Sequence, residues 1–341
     1  MTEALASSAP PVRIGIVGLG RLGSRHAENL SDRVAGARLV AAASPVEQER
    51  ATAQRAFPGI AVYEDLPGLL AHEGLDAVWL VTPTSLHADQ IITVLEAGKH
   101  VFCEKPLALE IGDCDRVIAV ADRFPDQVAM VGFMRRFDPA YAEAKRRIDA
   151  GALGDVFAIA CRSEDPVDPN GFFVRFAPTS GGIFLDCCIH DVDLVRWMLD
   201  GASATHVSSA GSRVMYPDLA ACNDVDTAFA TVNFDGGKVA TFHVSRTSHR
   251  GYEATMTIIG TKGTLEIGRG LSKLPLVLDS DGARHVHGQT DFFDRFNDAF
   301  LAEARAFVSA IQTGQPSPLG LHDARQATAL AARMRDALVV G

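Results

Sequence analysis

Gly18-Leu19-Gly20-Arg21-Leu22-Gly23 is the stretch that decides the fold of this 341-residue chain. It follows an apolar run, Ile14-Gly15-Ile16-Val17, and opens a segment of helical periodicity. Strand, glycine turn and helix in that order are what a pyrophosphate needs. Gly18 allows the tight turn, Gly20 lets the backbone approach the phosphates, and Gly23 lets helix pack on strand. The N–H groups of the first helical turn then face the anion. The implied ligand is a dinucleotide, NAD or NADP.

Outward from this motif, short apolar runs alternate with helical stretches. The runs are Val12–Val17, Ala37–Ala43, Ala77–Val81, His100–Cys103 and Gln127–Val131. Between them lie Arg21–Val34, Glu47–Phe57, His87–Ala97 and Glu110–Arg123. Apolar strands alternating with helices predict a parallel sheet covered on both faces. The fold class is therefore α/β, with an N-terminal Rossmann doubly wound parallel sheet over residues 12–132.

Beyond Gly132 the texture changes. A helix over Ala140–Ile148, a strand over Val156–Cys161, a polar loop to Gly182 and a helix over Cys188–Leu199 are expected. Period-two runs follow at Thr227–Phe234, Lys238–Ser245, Glu253–Ile259 and Thr264–Ile267, with glycine turns between them. Helices over Phe292–Thr313 and Leu321–Val339 close the chain. Residues 133–341 thus read as a C-terminal α+β domain built on a large, mostly antiparallel sheet. The last helix is a candidate to pack back on the Rossmann domain.

Composition narrows the function classes. A formal charge of −10 opposes nucleic acid or an anionic membrane as partner. The six cysteines form no CxxC pair and read as reduced thiols. Residues 1–11 read as a disordered tail rather than a signal peptide, and no run approaches a membrane span. The cytoplasm is the expected compartment.

An acid for the adenosine ribose is expected about twenty residues beyond the glycines. Ser44 stands there, followed by Pro45. A serine can donate to a 2′-phosphate that a carboxylate would repel, and Arg21 could add charge. The residues therefore lean slightly to NADP or dual use. The other reading, a solvated Arg21 and a Ser44 that binds a ribose hydroxyl, stays open. Candidate cofactor contacts are Gly18, Gly20, Arg21, Leu22, Gly23, Ser44, Thr82, Pro83, His87, Glu104 and Lys105.

Three further stretches carry a resemblance. They are Gly98-Lys99-His100-Val101-Phe102-Cys103-Glu104-Lys105-Pro106-Leu107-Ala108, Val131-Gly132-Phe133-Met134-Arg135-Arg136-Phe137-Asp138-Pro139-Ala140-Tyr141, and the segment from Gly181 to Trp197 that contains Asp186-Cys187-Cys188-Ile189-His190. With the glycine loop and the helix over Phe296–Ile311, the chain resembles the Gfo/Idh/MocA family of oxidoreductases, and within it the inositol dehydrogenases. The resemblance implies that Lys105, Asp186 and His190 form the catalytic set. It also implies that the Lys105–Pro106 bond is open to the cis form.

The chemistry of the residues agrees. Lys105 follows the carboxyl end of an apolar strand, the edge where an open α/β sheet binds its ligand. Asp186 and His190 are four apart and share a face if one helix begins by Asp186. Oxidising an alcohol needs a base near neutrality, which histidine supplies, and a cation to steady the developing alkoxide, which lysine supplies. Asp186 can hold the imidazole or accept from a substrate hydroxyl. The bland readings are a structural histidine, a solvated lysine and an aspartate N-cap. Only the joint occurrence favours catalysis. Cys187 and Cys188 read as packing residues, since adjacent thiols diverge on a helix and no ligand pair accompanies them; no metal is expected.

For substrate, Arg162-Ser163-Glu164-Asp165-Pro166 is similar to the S-x-D-P loop of inositol dehydrogenases. Asp165 is the chosen acceptor, with an Asp-Pro turn as the bland alternative. Arg136 and His249 are weaker candidates. Arg246-Thr247-Ser248-His249-Arg250 departs from the Asn-Ser-Arg or aromatic pattern common in the family. A cyclic polyol or sugar is the expected substrate, most of all myo- or scyllo-inositol. Another sugar or diol is the first alternative, and a non-catalytic nucleotide-binding regulator is the alternative of another class. The resemblance further implies a homodimer or homotetramer through the C-terminal sheet.

Overall fold

In the computed structural model the described residues are 10–268, 277–278, 284–285 and 291–341. Nine residues of the expected tail lie outside them. The chain divides into two units. One comprises the residues up to Met134 together with Phe300–Arg325; the other comprises Arg135–Ala299 with Gln326–Gly341.

The first unit is built on six parallel strands: β1 (Val12–Val17), β2 (Ala37–Ala43), β3 (Ala61–Tyr63), β4 (Ala77–Leu80), β5 (His100–Glu104) and β6 (Ala129–Gly132). Their spatial order is β3-β2-β1-β4-β5-β6. The order reverses between β1 and β4, the switch point outside which doubly wound sheets bind ligands. The intervening helices are α1 (Arg21–Glu28, continued by a π turn over Asn29–Arg33), α2 (Glu47–Ala56), α3 (Leu66–Leu70), α4 (Thr84–Glu96) and α5 (Ile111–Ala121). All four residues of β4 are buried, as a strand covered on both faces requires. Trp79 and Phe102, partners in the β4–β5 register, stack with centroids 3.6 Å apart, and Phe307 meets both edge-on. β3 and α3 were not expected: a three-residue strand and a five-residue helix are too short to show a period.

The second unit opens with α6 (Pro139–Asp149), whose first N–H groups are capped by Asp138. Next come β7 (Val156–Pro166), α7 (Phe172–Ser180), α8 (Ile183–Asp186), α9 (Ile189–Met198), β8 (Ala204–Ser212), β9 (Thr227–Phe234), β10 (Val239–Ser248), β11 (Glu253–Gly260) and β12 (Gly263–Ile267). β13 (Val277–Leu278) and β14 (Arg284–His285) pair with each other. Helix α10 (Phe292–Thr313), helix α11 (Leu321–Asp336) and strand β15 (Leu338–Val340) complete the chain.

The large sheet runs β12-β11-β7-β10-β9-β8-β15. It is mixed: β7–β10 and β8–β15 are parallel and the other neighbours antiparallel. Four expectations need correction. Residues 162–166 continue strand β7 rather than looping, because they pair with both β10 and β11. The segment before Gly182 contains helix α7, bounded by left-handed Gly171 and Gly181. The final helix stops at Asp336, and Leu338–Val340 add to β8 instead. Asp186 and His190 do not share a helix: Asp186 ends α8, and α9 starts beyond Cys187 and Cys188. The N–H groups of both cysteines turn back to the Ile183 carbonyl, which closes α8 after one turn.

Candidate active site

The glycine loop has the geometry its motif implies. Gly18 sits at φ +92, and a Cβ there would run into the Val81 carbonyl oxygen. A Cβ on Gly23 would overlap the Gly18 carbonyl oxygen, so helix and strand meet only because no side chain intervenes. Around Gly20 there is open space; its nearest neighbour is Glu49 Oε1, 4.0 Å from where a Cβ would be. Gly20 caps α1 with no side-chain hydrogen bond, and the first turn holds no acid. A helix start with no side-chain cap and no acid in its first turn suits a phosphate. Arg21 and Leu22 occupy the same turn.

Ser44 follows β2 and is 1% exposed. Its hydroxyl donates to Glu49 Oε2 at 2.5 Å, and its carbonyl accepts from Arg50 at 2.7 Å. Reading the strand end alone missed Glu49. It lies in the first turn of α2, where an acid also favours the helix dipole.

The loops after β4 and β5 are tied together. His87, in the first turns of α4, sets Nδ1 2.8 Å from the Pro106 carbonyl oxygen and Nε2 2.9 Å from that of Thr82. Burial lowers its pKa from 6.5 against the pull of the two carbonyls. A neutral imidazole has one N–H, so His87 donates to one of these two carbonyls while its ring stands between both loops. Thr82 donates to Gln90, and Pro83 is the N-cap residue of α4. Glu104 ends β5 and is buried; its carboxylate accepts the Lys105 N–H at 3.1 Å and meets His26 Nε2 at 2.9 Å. Lys105 follows directly, half-buried, at a cis bond to Pro106. His26 and Glu303 were not foreseen. Glu303 is wholly buried, and burial followed by the charge of Glu104 pushes its carboxyl well above the ordinary range.

In the second unit, Asp186, Asp165 and the start of α9 converge. The Cys187 thiol lies 3.4 Å from Asp165 Oδ2 and 3.5 Å from Asp186 Oδ2. His190 is in the first turn of α9 and is 6% exposed. Arg246 on β10, fully buried, donates to Asp186 Oδ2 at 3.0 Å and to Asp224 Oδ2 at 2.7 Å. Asp224 in turn accepts the Ile183 N–H at 2.8 Å, so Arg246 and Asp224 pin both ends of α8. In the sequence Arg246 stood out only as the first residue of the stretch that departs from the family pattern; its inward register on a period-two strand was the available signal. Burial pushes the Cys187 and Cys188 thiols up, which suits packing residues.

The remaining candidates stand differently. Arg136 places two nitrogens on Asp193, at 2.8 and 2.6 Å, in a buried ion pair, and lies over Trp197. Its neighbour Arg135 bonds Asp191 at 2.6 Å, Ser163 at 3.0 Å and Tyr252 at 2.9 Å. Burial pushes the Tyr252 phenol up to about 12. His249 is in the exposed turn after β10. Among the described residues no group of three or more His, Cys, Asp or Glu side chains is arranged for a metal ion, and no helix is long and apolar enough to cross a membrane.

Comparisons with known proteins extend this picture. Residues 12–133 match the profile described as "Oxidoreductase family, NAD-binding Rossmann fold", and residues 141–266 match the GFO/IDH/MocA C-terminal domain. The chain is 38% identical over 307 residues to a scyllo-inositol 2-dehydrogenase (NAD(+)) of Bacillus subtilis, covering 89% of this chain and 87% of that one. It is 32% identical over 320 residues to a myo-inositol 2-dehydrogenase of Thermotoga maritima, covering 94% of each. The crystal structure of scyllo-inositol dehydrogenase from Lactobacillus casei with bound NAD(H) and scyllo-inositol superposes with a TM-score of 0.90 at 36% identity, over 96% of this chain and 97% of that one.

Proposed function

We propose that this chain, which belongs to the Gfo/Idh/MocA family of oxidoreductases, is an NAD-dependent dehydrogenase that oxidises a secondary hydroxyl of an inositol, myo or scyllo. The observation that carries the reading is local. Asp165 and Asp186, two acceptors suited to polyol hydroxyls, meet across Cys187 at the junction from which the helix of His190 departs. That junction lies in a relative of enzymes named for inositol oxidation.

A bound nicotinamide cofactor would supply the hydride acceptor. Every other role falls to the chain. Gly18, Gly20 and Gly23 admit the pyrophosphate, and the first turn of α1 offers it N–H groups. Lys105, held through its N–H by Glu104, orients the reacting hydroxyl and steadies its oxygen as the proton leaves. His190 takes that proton. Asp186, fixed by Arg246, accepts from a neighbouring hydroxyl or orients the imidazole.

NAD is favoured over the NADP or dual use suggested by Ser44 and Arg21, because the Ser44 hydroxyl is spent on a carboxylate. The enzyme works in the cytoplasm as a homodimer or homotetramer. Its subunits meet through the sheet face of β9 and β10, where Phe229 is 56% exposed and His243 stacks on it at 4.3 Å.

The test is a Lys105→Ala variant compared with the parent for NAD binding and for turnover with inositols. NAD binding is expected to persist while kcat falls about a hundredfold or more. An unchanged kcat would remove Lys105 from the mechanism.

A further inference from the structure

The end of β2 is where a dinucleotide fold reads the adenosine ribose, and this chain has no acid there. The structure supplies one from elsewhere. Glu49, in the first turn of α2, turns its carboxylate back to the strand end. Oε2 accepts a hydrogen bond from the Ser44 hydroxyl at 2.5 Å, and the same hydroxyl accepts one from the Val46 N–H at 3.1 Å. That hydroxyl has one proton, so nothing remains to donate to a phosphate. Oε1 stands 4.0 Å from a Cβ built on Gly20, in the loop that would receive the cofactor's phosphates. The carboxylate therefore spans from the ribose-reading strand end to the phosphate-reading loop.

The neighbouring cation is also committed. Arg50 donates from Nη1 to the Ser44 carbonyl oxygen at 2.7 Å, and its Nη2 lies 3.4 Å from Glu64. Its side chain is only 17% exposed. A 2′-phosphate would meet a fixed negative group and an arginine already bound on both arms. A ribose diol would instead find an acceptor aimed at it.

We propose that Glu49, locked by Ser44, is the residue that selects NAD over NADP in this protein. This rests on the dinucleotide-binding reading and deepens it. A carboxylate on a helix does the work usually done by one on the strand end, and Ser44 acts as its positioning residue.

Equilibrium binding of NAD and NADP to the full chain, by calorimetry or quenching of tryptophan fluorescence, tests the proposal without recourse to activity. The proteins to compare are the parent, Glu49→Gln and Ser44→Ala, each checked for an unchanged thermal melt. Glu49→Gln keeps shape and removes charge. It is expected to bind NADP about tenfold or more tightly than the parent does, and NAD several-fold more weakly. Ser44→Ala is expected to change the NADP-to-NAD ratio in the same direction and by less. A folded Glu49→Gln with the parent's ratio would overturn the proposal, as would equal loss of both cofactors. A parent that binds neither cofactor would overturn the dinucleotide reading itself, which separates the two failures.

Discussion

Glu303 offers a sharp physical test of how the first unit is built. It sits on α10, 0% exposed, and neither carboxyl oxygen has a hydrogen-bond partner among the described residues. An ionised carboxylate in that position would lose its hydration with nothing in return. Burial, reinforced by Glu104, raises its pKa well above 4.5. The folded protein therefore keeps the proton, while the unfolded chain releases it above about pH 4.5. The sign follows. The contribution to stability is fully present below the unfolded pKa and is lost as pH rises towards the folded one. In that window one proton separates the two states, so stability falls by about 1.4 kcal/mol for each pH unit.

Glu303→Gln preserves the volume and removes the titration. Urea unfolding of parent and variant, followed by tryptophan fluorescence across a pH series, isolates the difference. Trp79 is in the stacked core of the same unit and reports on it. The variant is expected to gain on the parent, by on the order of 1 kcal/mol, as pH rises from about 5 to about 6. Stability curves that stay parallel over that interval would refute a protonated Glu303.

Other expected outcomes follow from the same geometry. Gly23→Ala brings a Cβ onto the Gly18 carbonyl oxygen, so NAD affinity by calorimetric titration should drop about tenfold or more. Arg246→Met removes the guanidinium that Asp186 and Asp224 share and should cost about 3–5 kcal/mol in denaturant unfolding. Arg246→Lys keeps the charge but not the two-armed reach, and should lose less stability while still lowering kcat. The folded pKa of His87 lies below 6.5, so its contribution is present above that value and declines as pH falls below it. Thermal melts should show the parent losing stability on acidification relative to His87→Gln.

The first unit was legible because its strands are buried on both faces and its glycines sit where strand gives way to helix. β8 escaped notice for the opposite reason. Ala204–Ser212 is mostly small and polar with one fully buried residue, and it is a strand because β9 and β15 pair with it. Asp186 and His190 stood out in the sequence as candidates, yet the break between their helices did not, since a turn at Cys187 leaves no mark in composition. The supporting groups were hidden for a different reason. Glu49, Arg246 and Glu303 look like ordinary charged residues in sequence. Only burial, and what each side chain touches or fails to touch, separates them from solvated ones.

The most direct measurement is reduction of NAD, followed by the absorbance of the reduced nicotinamide, with purified protein and a panel of inositols and hexoses. Turnover with myo- or scyllo-inositol, faster with NAD than with NADP, is the expected result. A protein that binds NAD yet reduces none of it with any inositol would contradict the assignment.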